Sequence, residues 1–196
     1  MTKLFFNGMM VILLTAFMPH KKETNRLQYL IWIGDRQAGS LCVEKILSAE
    51  QECVFSMKTQ IDFMFWEISS TIESKFRQNQ LWEACANEKV NGKIKGCTKT
   101  FFVDNQYEIK KDEIKKIVKE PIYYSVAMLY HHEPQEVRQI FMERHANFGI
   151  IKEIASHKYE LTLPNGDKNY YLYENGICKE MQTSTMMKKI RFVLVR

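Results

Sequence analysis

The sequence predicts an all-β protein: a single, mainly antiparallel, meandering sheet curled into a barrel-like or sandwich architecture, with one or two short helical turns. Three observations carry this. Apolar side chains recur with a period of two, which in a strand sends alternate residues to opposite faces. Turn signals, including three Asn-Gly pairs, fall between these runs. The composition is that of a globular chain, with 45% hydrophobic and 26% charged residues and only 4 Pro and 8 Gly, which excludes disordered and collagen-like classes.

The elements follow in order. Leu27, Tyr29, Ile31 and Ile33 alternate with polar neighbours and lead into Gly34–Gly39, a turn. From Cys53 to Phe65 every odd position is apolar or Thr, while Ser56, Lys58, Gln60 and Asp62 lie between them, which predicts a half-buried strand. Ser70, Ile72, Ser74 and Phe76 repeat the pattern against Thr71, Glu73, Lys75 and Arg77. Asn91-Gly92 predicts a hairpin, because both residue types tolerate the positive φ of a tight turn. Asp112–Val118 is expected to form one or two helical turns with Ile114, Ile117 and Val118 on one side, and Gln135–Met142 fits strand or helix. Tyr159–Leu163, Pro164–Asp167, Asn169–Tyr173 and Asn175-Gly176 read as a meander, and Ile190, Phe192 and Leu194 as a last strand. A sheet of roughly ten or more strands is expected to curl, because a flat one leaves exposed edges. A transmembrane barrel fits poorly: the wet faces carry Lys, Glu and Gln, where lipid would demand apolar side chains.

Residues 1–20 read as a signal peptide: Lys3, then an apolar run from Leu4 to Met18 broken by Asn7 and Gly8, then Pro19. The run is shorter than the roughly 20 residues that span a bilayer. The expected organisation is a signal peptide over 1–20 and one β-rich domain over 21–196, placed in the periplasm or secreted and peripheral to a membrane at most. The net charge of +5 is mild, and the Lys110-Lys111 and Lys115-Lys116 cluster encloses Asp112 and Glu113, so no nucleic-acid partner is expected.

The second half carries a family pattern. Ile122-Tyr123-Tyr124-Ser125 leads to Leu129-Tyr130-His131-His132-Glu133-Pro134, followed by Phe148-Gly149, Tyr159–Gly166, Asn169–Tyr173 and Asn175–Cys178, with Ile33-Gly34 and Gly39-Ser40-Leu41 earlier. This resembles a family of small exported bacterial proteins known only as a domain of unknown function, typical of Bacteroidetes-type cell envelopes. The resemblance implies a secreted or periplasmic β-rich fold. It implies no reaction, cofactor or catalytic residue. The His131-His132 pair departs from the aromatic or polar residue expected at that strand end.

Chemical signals are sparse. On a strand His131 and His132 point to opposite faces, so one metal ion does not take both, and a polar strand end before Pro134 explains them. No nucleophile elbow, His-Glu-x-x-His helix, Gly-rich phosphate loop or Cys-x-x-Cys occurs, and no cofactor or catalytic residue is expected. An oxidising compartment permits disulfides. Centred on Asn91-Gly92, Cys97 faces Ala86 and Cys85 faces Thr98, and one bulge brings Cys85 opposite Cys97. Cys42 and Cys53 suit a hairpin turning at Leu47-Ser48. The alternative is five small apolar side chains in the core. The function expected is non-catalytic binding of a lipid, glycan or envelope protein in a concave β-surface, with Tyr123, Tyr124 and Tyr130 as candidate ligand contacts. The alternative is a hydrolase acting on envelope polymers through dispersed residues.

Overall fold

The computed structural model describes residues 23–48, 52–184 and 189–195, so the expected signal peptide lies outside the described residues. Fourteen strands form one sheet: β1 (Glu23–Ile33), β2 (Arg36–Leu47), β3 (Glu52–Phe63), β4 (Trp66–Arg77), β5 (Gln80–Val90), β6 (Lys93–Val103), β7 (Gln106–Lys111), β8 (Ile114–Val118), β9 (Gln139–Met142), β10 (Asn147–Ala155), β11 (Lys158–Thr162), β12 (Lys168–Glu174), β13 (Ile177–Ser184) and β14 (Lys189–Leu194). The spatial order is β8-β7-β6-β5-β4-β3-β2-β1-β14-β13-β12-β11-β10-β9. Every neighbour is antiparallel, so the fold class is the expected all-β meander.

Most strand readings hold because alternation and burial coincide. In β4 the inward residues Ser70, Ile72, Ser74 and Phe76 are buried, while Thr71, Glu73 and Arg77 are exposed. Three expectations are corrected. Asp112–Val118 is not helical: Asp112-Glu113 is a hairpin turn into β8, and Lys111 pairs with Ile114. Asp112 accepts the positive φ of 51° that this turn requires, and its Oδ1 accepts the Cys97 N–H at 3.0 Å. The helical content is instead a 3-10 turn at Val126–Met128. Third, the long strand ends at Phe63, and Phe65 lies in the turn, exposed. Within Gln135–Met142, only the last four residues are a strand.

The sheet is rolled. Residues from β2, β3 and β4 line one cavity together with residues from β12, β13 and β14. The two edge strands are joined by residues 119–138, a strap that crosses the concave side. It is fixed by main-chain groups that would otherwise be buried unpaired. Leu81 N–H donates to Ile122 O at 2.8 Å, and Cys178 N–H donates to Tyr130 O at 3.2 Å. The Tyr173 hydroxyl donates to Leu129 O at 2.7 Å, and the Tyr124 hydroxyl donates to His132 O. The core beneath the strap is aromatic: Tyr130 meets Tyr29 edge-on at 5.1 Å and Tyr171 at 6.4 Å. Alternation around the meander places the β1–β2, β3–β4, β5–β6, β9–β10 and β11–β12 turns at one end of the roll.

Candidate ligand cavity

A cavity of about 260 Å³ lies inside the roll toward that end. Its sheet walls are largely apolar: Leu41, Met57, Ile61, Ile68, Ile72 and Phe192 come from strands whose inward parity the sequence already displays. The strap supplies Val126 and Tyr130. The β9–β10 turn supplies Glu143, Arg144 and His145.

Glu143 is the chemical centre. It is fully buried. Its Oε1 accepts the Ser74 hydroxyl at 2.8 Å and the Ala127 N–H at 3.3 Å, while its Oε2 has no hydrogen-bond partner. Burial holds this carboxyl above its ordinary value, against the lowering pull of its own N–H, the Ser125 and Ser74 hydroxyls and the Ala127 N–H, although the Ser125 hydroxyl does not reach hydrogen-bond geometry. Asn169, also on the cavity wall, has an unpartnered Oδ1. Both acceptors are sealed at the cavity wall without a partner, an arrangement that costs free energy until a donor reaches them.

The rim is charged. Arg144 pairs with Glu88 of β5, and Thr98 of β6 donates to Arg144 O at 3.4 Å. Lys116 Nζ of β8 donates to Ala146 O at 3.3 Å. One four-residue turn therefore touches β4, β5, β6 and β8, and it holds the roll together by side-chain contacts.

A family profile described as a domain of unknown function (DUF6134) matches residues 29–195, from β1 to the end of β14. The chain belongs to the DUF6134 family. Among curated proteins no sequence matches it. A solved structure similar to this DUF6134 chain is a beta-barrel-like protein of the domain of unknown function DUF1849 from Brucella abortus. It shares 11% identity over 87% of this chain and 95% of that one, with a TM-score of 0.48.

In this DUF6134 protein the three candidate tyrosines separate. Tyr130, at 1% exposure, lies in the core and lines the cavity. Tyr124 is half-buried and pins the strap. Tyr123, at 58% exposure, faces outward away from both. Consecutive residues do diverge, but the sheet rolls over one of them.

The expected disulfide registers are not formed. The bulge near Asn91-Gly92 exists, but Lys95 on β6 is the extra residue, so Cys97 faces Asn87 and Cys85 faces Lys99. The β2–β3 turn lies further along than Leu47-Ser48, so Cys42 faces Lys58 and Cys53 faces Leu47. All five cysteines are free thiols, and Cys178 is buried.

His131 and His132 both sit against the ring of Phe55. Among the described residues no group of metal-ligating side chains gathers. His132 Nε2 lies 2.9 Å from Lys45 Nζ. Glu133 instead meets the exposed His157 at 3.0 Å and accepts the Tyr159 hydroxyl at 3.0 Å.

Sequence reasoning missed Glu143 and Arg144. One trace was present: Glu143 directly follows Ile140-Phe141-Met142, a continuous apolar run that marks a strand buried on both faces.

Proposed function

We propose that this DUF6134 protein is an exported, non-catalytic envelope protein that holds one small amphiphile in its rolled sheet. The ligand's apolar part packs against Ile61, Ile68 and Ile72, and its hydroxyl or amine donates to Glu143 Oε2. The observation that carries this reading is the unpartnered carboxylate oxygen of a fully buried Glu143 on the wall of an apolar cavity. Export rests on Lys3 and the apolar run from Leu4 to Met18. The volume, somewhat below the roughly 300 Å³ at which drug-sized pockets begin, suits a short acyl segment better than a sugar chain.

Hydrolysis is the weaker reading. Paired-carboxylate chemistry needs two acids about 5–9 Å apart across the scissile bond. Among the described residues lining the cavity, Glu143 is the single carboxylate.

Titration with the neutral apolar dye N-phenyl-1-naphthylamine tests the reading. One dye per chain is expected to bind with enhanced fluorescence. Ser70→Phe, which projects a ring into the cavity from β4, is expected to weaken binding at least tenfold while the far-ultraviolet spectrum is unchanged. No saturable binding, or equal binding by the variant, contradicts it.

A further inference from the structure

The β3–β4 turn breaks a local rule. Met64 has φ 58°, a conformation that Gly or Asn adopts readily, and the neighbouring β5–β6 turn uses Asn91-Gly92. Here Met64-Phe65-Trp66 stands in its place, exposed to 64%, 86% and 59%. Such departures from local preference are expected at functional or strained positions.

The tip is also held in place. Asn91 Nδ2 donates to Phe65 O at 3.3 Å, Asn91 Oδ1 accepts the Glu67 N–H at 2.8 Å, and Asn91 N–H donates to Glu67 O at 2.7 Å. The wedge is thus stapled to its neighbour, whose own tip exposes Ile94.

Parity links the tip to the cavity. Phe63 pairs with Trp66, and one step inward Ile61 pairs with Ile68. Both isoleucines line the cavity. An apolar track therefore runs from the exposed tip into the pocket. Arg36 and Lys189 share a surface hollow with Phe63, Met64 and Asp35, and Lys93 and Lys95 stand at the end of the adjoining β5–β6 hairpin. Arg36 stands 5.8 Å from the centre of the Phe63 ring.

We propose that the Met64-Phe65-Trp66 tip is a membrane-docking wedge that enters the interfacial layer of a phospholipid bilayer and sets the cavity mouth against it. Phe65 at the apex reaches the acyl chains, Trp66 sits at headgroup level, and the surrounding bases meet lipid phosphates. A protein partner suits the tip less well. The three side chains offer roughly 400 Å² on a convex point, whereas a stable interface takes about 800 Å² from each side. The docking stands on the tip itself; only the passage of lipid into the cavity rests on the ligand-binding reading above.

The test uses the full chain with Trp66 as its sole tryptophan (Trp32→Phe, Trp82→Phe), and a matching chain retaining only Trp82. Vesicles of phosphatidylcholine and phosphatidylglycerol carry brominated acyl chains as quenchers. Trp66 emission is expected to be quenched and Trp82 emission is not. In the otherwise native chain, Phe65→Ser is expected to lower the vesicle-bound fraction at least tenfold, with unchanged thermal unfolding and unchanged dye uptake in solution. Unquenched Trp66, equal quenching of Trp82, or undiminished binding by Phe65→Ser overturns the proposal. So does self-association through the tip without quenching. Dye uptake that survives loss of quenching retires the docking and leaves the ligand-binding reading standing; the reverse result retires that reading alone.

Discussion

The hydroxyl of Ser74 on β4 donates to the buried carboxyl of Glu143 at 2.8 Å, joining residues 69 positions apart in the chain. Burial favours the protonated carboxyl in the folded state. An acid whose folded value is raised contributes stability that is complete below the ordinary carboxylate range and is lost as pH climbs through the raised value. Glu143→Gln imitates the protonated form and lacks that loss. The melting temperature of Glu143→Gln relative to the native protein is expected to rise from acid toward neutral pH. A difference independent of pH contradicts this assignment.

His131 has the opposite sign. It is buried beside Phe55, and burial first, then His132 and Lys45, push its pKa down to about 4 from 6.5, against a smaller upward pull from the Val43 backbone. The stability that depends on its neutral ring is present above 6.5 and is lost as pH falls toward 4. His131→Phe is expected to remove that part of the acid sensitivity, measured by denaturant midpoints from neutral to acid pH. Parallel acid profiles for the two proteins rule it out.

Two glycines provide a matched contrast. A Cβ on Gly39 would collide with Gln60 O and lie 2.9 Å from Ile61 Cα, both backbone atoms of β3 that cannot swing aside. Gly39→Ala is expected to destabilise by about 3 kcal/mol. A Cβ on Gly96 meets nothing within 4 Å. Gly96→Ala is expected to change stability by less than about 0.5 kcal/mol. Equal melting temperatures for the two variants would mean that β2 and β3 do not approach so closely.

These elements show what the sequence carried. Alternation identified β1, β3, β4, β12 and β14, because a rolled sheet buries one face of each strand and period two survives rolling. It failed at Phe65, since the pattern continues past the point where the chain turns. It failed at Asp112–Val118, where a short edge strand left exposed by the roll shows no clean alternation. The site was illegible for a different reason. Ser74, Ala127 and Glu143 meet only because the sheet curls and the strap crosses it, and neither event leaves a local mark. The cysteine registers failed by a single bulged residue, Lys95, and by the position of one turn.

The thiols give a direct check on those registers. Denatured, unreduced protein is expected to show all five cysteines reactive. In the folded state Cys178 is expected to react last, because burial closes access and pushes its thiol up, away from the reactive thiolate. Fewer than five thiols, with a cross-linked peptide joining Cys85 to Cys97 or Cys42 to Cys53, contradicts the observed pairing.

Native mass spectrometry tests the binding claim most directly. The protein is offered octylamine, octanol and octanoate in equal amounts. One bound molecule per chain is predicted at a pH above the raised value of Glu143, with the amine or alcohol favoured over the carboxylate because the ionised Glu143 accepts a donor at Oε2 and repels an anion. Preference for octanoate, or bare protein in the presence of all three, would contradict the account.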